Sequence, residues 1–178
     1  MPEVEVAHSG AEYEWRHDED GLFTFLGVYL ATFQWIEAKL DQIILLDAGH
    51  DLWAETQDRL AKMRNEQKIS AVFAAVIEGN RFRKAADRPD WRPRFEELRV
   101  RLSDERLRRN SIMHSQYLLE GVEQGFPAIR SDRQRSKGKA HFHQEEMTKD
   151  RMDQILQELA NLAFAVGQVH QQLIHVVE

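Results

Sequence analysis

Apolar side chains recur every three to four positions over two long stretches of the chain. In the first, Leu22, Leu26, Tyr29, Phe33, Ile36, Leu40, Ile43 and Ile44 keep that spacing and predict a helix over 20–47, capped by Asp18 or Asp20 and ended by Gly49. In the last, Met152, Ile155, Leu156, Leu159, Leu162, Ala163, Val166, Val169 and Leu173 predict a helix over 148–177 with Thr148 as its cap. Between them the stripes are shorter. Leu52, Trp53, Leu60 and Met63 anchor a polar helix over 51–66, and Ile69, Val72, Phe73, Val76 and Ile77 anchor a second over 67–79, stopped by Gly79-Asn80. A basic, loop-like stretch over 80–90 follows. Pro93 fits the first turn of a helix whose apolar side is Phe95, Leu98 and Leu102. Ser103-Asp104 caps and restarts the chain into a further helix over about 104–119. Gly121, Gly125, Pro127 and Gly138 break the pattern over 120–146, where 126–130 and 139–143 are the pieces able to pair as a small hairpin. The pattern predicts an all-α helical bundle of four to five helices, two long and the rest short, with a small β-hairpin in its long loop.

The predicted helix over 104–119 carries the candidate chemistry. Leu107, Ser111, His114 and Leu118 fall along one face, and Asn110 and His114 are four residues apart. A face bounded by two leucines is expected in a core or an interface. Burying its polar groups unpaired costs roughly 1–3 kcal/mol each, so the patch is either structurally specialised or functional. Histidine is the side chain that exchanges protons near neutral pH. The planar fork of Arg109 matches phosphate oxygens, and Asn110 can orient an imidazole or a hydroxyl. No carboxylate lies between Arg109 and His114 and the chain has no cysteine, which favours phosphodiester chemistry over thiol or metal chemistry. Arg109 and His114 are five apart, roughly 140° around a helix of 3.6 residues per turn. Either the arginine wraps round or a second copy of the helix completes the site.

The run Arg109-Asn110-Ser111-Ile112-Met113-His114-Ser115 resembles the signature of HEPN (higher eukaryotes and prokaryotes nucleotide-binding) domains: Arg, four to six residues, His, often with a polar residue directly after the Arg, here Asn110. Arg135 and His141 fit the looser spacing as well, in a glycine-containing stretch that does not read as helix. The resemblance covers helix order over roughly 22–177, and motif residues over 109–115 alone. It implies an all-α bundle, a homodimer with two motifs facing one cleft, and metal-independent RNA cleavage leaving a cyclic phosphate. Arg109, Asn110 and His114 would be the catalytic residues and no cofactor would be needed. It also implies a role in toxin–antitoxin pairs or antiviral defence, with an antitoxin protein as partner. Some HEPN proteins keep an extra acid on an early helix, for which Glu37 is the candidate. One toxin subgroup carries a tyrosine two residues after the histidine as a target for nucleotide transfer; here Tyr117 stands three residues after it, a departure from that pattern. Ser115, Tyr117, Arg133, Arg135 and Lys137 join Glu37 as candidate substrate-binding residues.

Charge refines this picture. The net charge is −6, which argues against a general polyanion binder. Residues 1–20 hold seven acids against one arginine, whereas 81–109 hold eleven Lys/Arg against six acids and 130–139 hold five against one. The acidic, aperiodic residues 1–19 are expected to be a mobile tail preceding a single domain over 20–178. Metal-ligand spacings occur at Glu5/His8 and Glu14/His17, but on the tail rather than on core-facing helices, and at His141/His143 beside Glu145 and Glu146; no metal site is expected. The absence of cysteine fits a reducing cytosol, and no run approaches the ~20 apolar residues of a membrane span, so a cytoplasmic protein is expected. Two rival readings share these observations: a non-catalytic nucleotide- or RNA-binding domain of the same fold, and a purely structural helical adaptor in which Asn110 and His114 satisfy each other.

Overall fold

The computed structural model describes residues 17–136 and 139–177. It is mostly helical with a small antiparallel sheet. Helix α1 (His17–Ala48) is the axis of the core. Its buried side is Leu22, Phe25, Tyr29, Phe33, Ile36, Leu40, Ile43 and Ile44, which is the predicted stripe with Phe25 added and Leu26 moved to its edge. Helix α6 (Lys149–Val177) lies along α1 and contributes Ile155, Leu159, Leu162, Val166 and Leu173. Thr148 caps α6 as predicted, its hydroxyl accepting from the Arg151 amide at 3.2 Å. The described part of α1 already begins at His17, so Asp18 and Asp20, the predicted caps, stand inside the helix, and their side chains lie outside the described residues. The helix therefore takes up residues 17–19 of the expected tail; the remainder, with Glu5, His8 and Glu14, lies outside the described residues. Gly49 ends α1 at φ +78°, a left-handed conformation that favours glycine.

The middle of the chain wraps this pair. A 3₁₀ turn over His50–Leu52 leads into α2 (Trp53–Leu60), and α3 (Asn65–Phe73) runs into a π-helical turn over Ala74–Glu78. Both helices are shorter than the predicted spans. The wider π turn buries Ala75, Val76 and Ile77 in succession, which an α-helix could not do on one face. It closes with the Gly79 amide on the Ala74 carbonyl at 2.9 Å. The short α4 (Arg83–Ala86) interrupts the expected loop.

Two corrections concern the region of the motif. The chain over 91–114 is one helix, α5 (Trp91–His114), not two. Ser103 does not restart it; its hydroxyl bonds back to the Arg99 carbonyl at 2.9 Å within the helix. And α5 stops at His114. Ser115 turns to an extended backbone, and residues 116–118 form a strand, β1 (Gln116–Leu118), so Tyr117 and Leu118 are not helical. The predicted hairpin is real but longer: β2 (Ala128–Ser136) pairs antiparallel with β3 (Lys139–Met147) over nine rows, and β1 adds to the free edge of β2 in the order β1-β2-β3. The base of the hairpin packs on the core through Ala128 and Met147. Among the described residues no helix is long and apolar enough to cross a membrane.

Candidate functional site

Helix α5 buries Leu98, Leu102, Glu105 and Ile112. That choice of face decides where the motif points. The face expected to be covered, Leu107–Ser111–His114–Leu118, is not buried within the chain: Leu107 is 56% exposed, Leu118 is 39% exposed, and His114 is exposed at the helix end. Ser111 is half-buried because its hydroxyl donates to Asp132 of β2 at 2.8 Å, tying α5 to the hairpin.

The buried face of α5 continues the apolar stripe of Phe95, Leu98 and Leu102 to Ile112, with one buried carboxylate in its line. Tyr29 of α1, fully buried, donates its hydroxyl to Glu105 at 2.5 Å. Glu105 also faces Arg108 at 3.5 Å, and Arg108 reaches Glu158 of α6 at 2.6 Å. A buried carboxylate is tolerable when it is hydrogen-bonded and paired, as here. Burial, then the neighbouring Glu105, pushes the Tyr29 phenol far above its ordinary range, so it remains a donor. Arg108 holds the Glu158 carboxyl below the usual range.

Within this frame the three candidate catalytic residues differ. Arg109 is half-buried, its guanidinium carbon 5.9 Å from the centre of the Phe33 ring, within cation–π range. Its Nη1 donates to Asn110 Oδ1 at 3.3 Å, and its Nε is buried without an acceptor among the described residues. Arg106 pairs with Glu66 at 3.7 Å and Arg108 with two glutamates, but Arg109 has no carboxylate within ion-pair distance among the described residues. Its charge is held in place and not neutralised. Asn110 lies beside it on the helix. His114, roughly 140° further round, faces solvent, so a single copy does not turn Arg109 and His114 toward one point.

Three of the six candidate substrate-binding residues have structural partners. Glu37 accepts from Asn65 of α3 at 2.9 Å. Ser115 donates to the Ser111 carbonyl at 2.6 Å and finishes the helix. Tyr117 donates to the Ile112 carbonyl at 2.9 Å, bending the chain from α5 into β1. Burial pushes its phenol up to about 12, with Glu145 adding to the effect and Arg130 opposing it. Arg133 is exposed on the hairpin. Lys137 and the side chain of Arg135 lie outside the described residues.

Two features escape a sequence reading. Arg130 belongs to the basic run over 130–139, yet it is buried and paired with Glu145, directly opposite in register, at 2.7 Å. The other oxygen of Glu145 meets Arg151 of α6, also at 2.7 Å. The hairpin base is thus clamped to α6, and Arg130 is not a surface charge. Much of the basic stretch over 81–109 is likewise paired, through Arg83–Asp87, Arg92–Glu96 and Arg94–Asp90 on the helix surfaces. His141 and His143 are exposed, with His143 opposite Asp132, and no group of three or more His, Asp or Glu among the described residues is arranged to hold a metal. Comparison with protein-family profiles, with characterised proteins and with solved structures finds no match.

Proposed function

We propose that this chain is a HEPN-type endoribonuclease that cleaves RNA without a metal and acts as a homodimer. The observation that carries the reading is the state of Arg109: alone among the three arginines of the motif region it keeps an unneutralised charge, oriented by Asn110 and backed by an aromatic ring. A guanidinium so placed suits a phosphate whose charge grows in the transition state, where one such donor is worth roughly 10²–10³ in rate. His114, at the solvent-exposed end of the same helix, acts as general base on the ribose 2′-hydroxyl, whose oxygen attacks the adjacent phosphorus and expels the 5′-oxygen, which takes a proton from water, leaving the cyclic phosphate; Asn110 positions Arg109.

The outward face of α5 offers the seam for a second copy. Val100 and Leu107, each 56% exposed, stand seven residues apart on α5, and His114 follows seven further on. A period of seven drifts only ~20° per repeat, so the three form one outward stripe. Covered by a second copy, that stripe sets the two His114 side chains side by side at the seam, while Arg109, about 160° from Leu107 around the helix, stays against Phe33 of its own copy. The biological setting that follows is a toxin or antiviral defence factor of the cytosol, with an antitoxin protein as its restraint. The test is the product. Incubation with single-stranded RNA in excess chelator yields fragments ending in a cyclic phosphate. Binding without any cleavage would leave the non-catalytic RNA-binding domain in its place.

A further inference from the structure

The sheet has a covered side and a bare one. On the covered side Ala128, Arg130 and Met147 are buried, Asp132 meets Ser111, and Glu145 meets Arg151. The bare side alternates with it, as strand geometry requires. There Arg133 lies directly opposite Phe142, four rows out from Ile129–Glu146 and two from Ser131–Gln144. Direct cross-strand neighbours have Cβ atoms about 4.5–5.5 Å apart, so the two side chains leave the sheet from adjacent positions on the same side. Phe142 is 64% exposed, and Arg133 is exposed with no carboxylate within ion-pair distance among the described residues. The same side continues onto β1 through Gln116, beside Ser131, and Leu118, beside Ile129.

An exposed phenylalanine alone is unremarkable. Its pairing with an unneutralised arginine is what selects an occupant, because the chain as a whole is negative and repels polyanions. We infer that this face is a stacking platform for single-stranded RNA, with one base lying on the Phe142 ring and a neighbouring phosphate meeting Arg133. The inference rests on RNA being the substrate, as proposed above. The strand must be single because an unpaired base alone offers its face to a ring. A duplex keeps those faces stacked and would meet only Arg133.

The platform lies within reach of the motif. From Gln116 to Phe142 is two strand spacings across and two residues along, about 12 Å. His114 is two residues before Gln116, at most about 7 Å more. One strand a few nucleotides long, passing round the β1 edge, therefore spans from Phe142 on the bare side to His114 at the end of α5, which packs on the covered side. Bases placed on the hairpin would fix which phosphodiester arrives at the motif.

Anisotropy titrations of a labelled, unstructured RNA and of its duplex test this, using full-length protein in a His114→Ala background so that the probe stays intact. Phe142→Ala should weaken single-strand binding roughly 5- to 150-fold, the range for losing one base–aromatic stack. Phe142→Trp should restore it, and duplex binding should be unmoved. Arg133→Gln should lower the salt slope for the single strand by about 0.7. Equal binding by Phe142→Ala, in a protein whose His114-intact form cleaves RNA, would overturn the platform and leave the ribonuclease reading intact. Loss of stacking-dependent binding without cleavage by the His114-intact form would do the reverse. If Phe142→Ala alters the sedimentation coefficient but not RNA binding, the face joins protein to protein and the inference is wrong. No binding of either RNA would remove both.

Discussion

Tyr29→Phe deletes one oxygen and tests what turns the motif helix. The hydroxyl is fully buried and donates to a buried carboxylate 2.5 Å away on α5, one helical turn before Arg109. A hydrogen bond to a charged group is worth roughly 1.5–3 kcal/mol. Glu105 retains Arg108 at 3.5 Å, so the carboxylate is not orphaned and the lower part of that range applies, about 1.5–2 kcal/mol. In a chain of this length each kcal/mol shifts Tm by roughly 2–4 °C, giving an expected fall of about 3–8 °C. Glu105→Leu should cost more, because it strands the Tyr29 hydroxyl without its acceptor and leaves Arg108 to Glu158 alone. Adding Tyr29→Phe to Glu105→Leu should then cost little or recover stability, so the double-mutant cycle should give a coupling of about 1.5–2 kcal/mol. Urea and thermal melts at neutral pH, where the raised pKa keeps the phenol protonated, read all four proteins. A Tyr29→Phe variant within about 0.5 kcal/mol of wild type, the range of an inert substitution, would show that this contact does not hold α5 in place.

Two glycines make a matched pair. A methyl group on Gly79 would sit 2.3 Å from the Ala75 carbonyl oxygen, so Gly79→Ala should lose about 1–3 kcal/mol in a urea melt. Gly27, in mid-α1, has open space around the same position, so Gly27→Ala should gain about 0.4–1 kcal/mol in the same experiment. For His170, buried on α6, burial and then Lys39 lower the pKa below the ordinary 6.5. The unfolded chain therefore binds the proton more readily, and stability is fully present above pH ~6.5 and lost as pH falls from there toward the folded value. The Tm advantage of wild type over His170→Gln should accordingly shrink between pH 7.5 and 5.5, and a pH-independent difference would contradict that direction of shift.

The parts of the fold that the sequence announces are those where burial follows residue type. Along α1 and α6 the apolar stripe and the buried stripe nearly coincide, so spacing alone locates them. Helix α5 breaks that correspondence. It exposes Val100 and Leu107 and buries Glu105, which lies in line with Phe95, Leu98, Leu102 and Ile112 and is held there by Tyr29, 76 residues away. Spacing alone therefore allows the Leu107–His114 face to be core or interface, and within the chain it is not core. Strand β1 was hidden for a similar reason: three residues pair only because β2 is there to receive them. Arg130 reads as one charge in a basic run, and only the strand register reveals Glu145 opposite it. The motif itself, Arg109 with Asn110 and then His114, was legible as a spacing on a helix. Its electrostatic state was not, since that depends on which neighbouring carboxylates choose Arg106 and Arg108 instead.

Cleavage of unstructured RNA by wild type, His114→Ala and Arg109→Lys, with chelator in excess and melts confirming that each is folded, bears most directly on the proposed activity. Wild type should cut. His114→Ala should not, while still binding, because the phosphate contacts remain. Arg109→Lys should fall steeply, since it keeps the charge but loses the planar fork. Folded His114→Ala cutting as fast as wild type would contradict the assignment of the proton-transfer step to His114, and a wild type that cuts no RNA would contradict the activity itself.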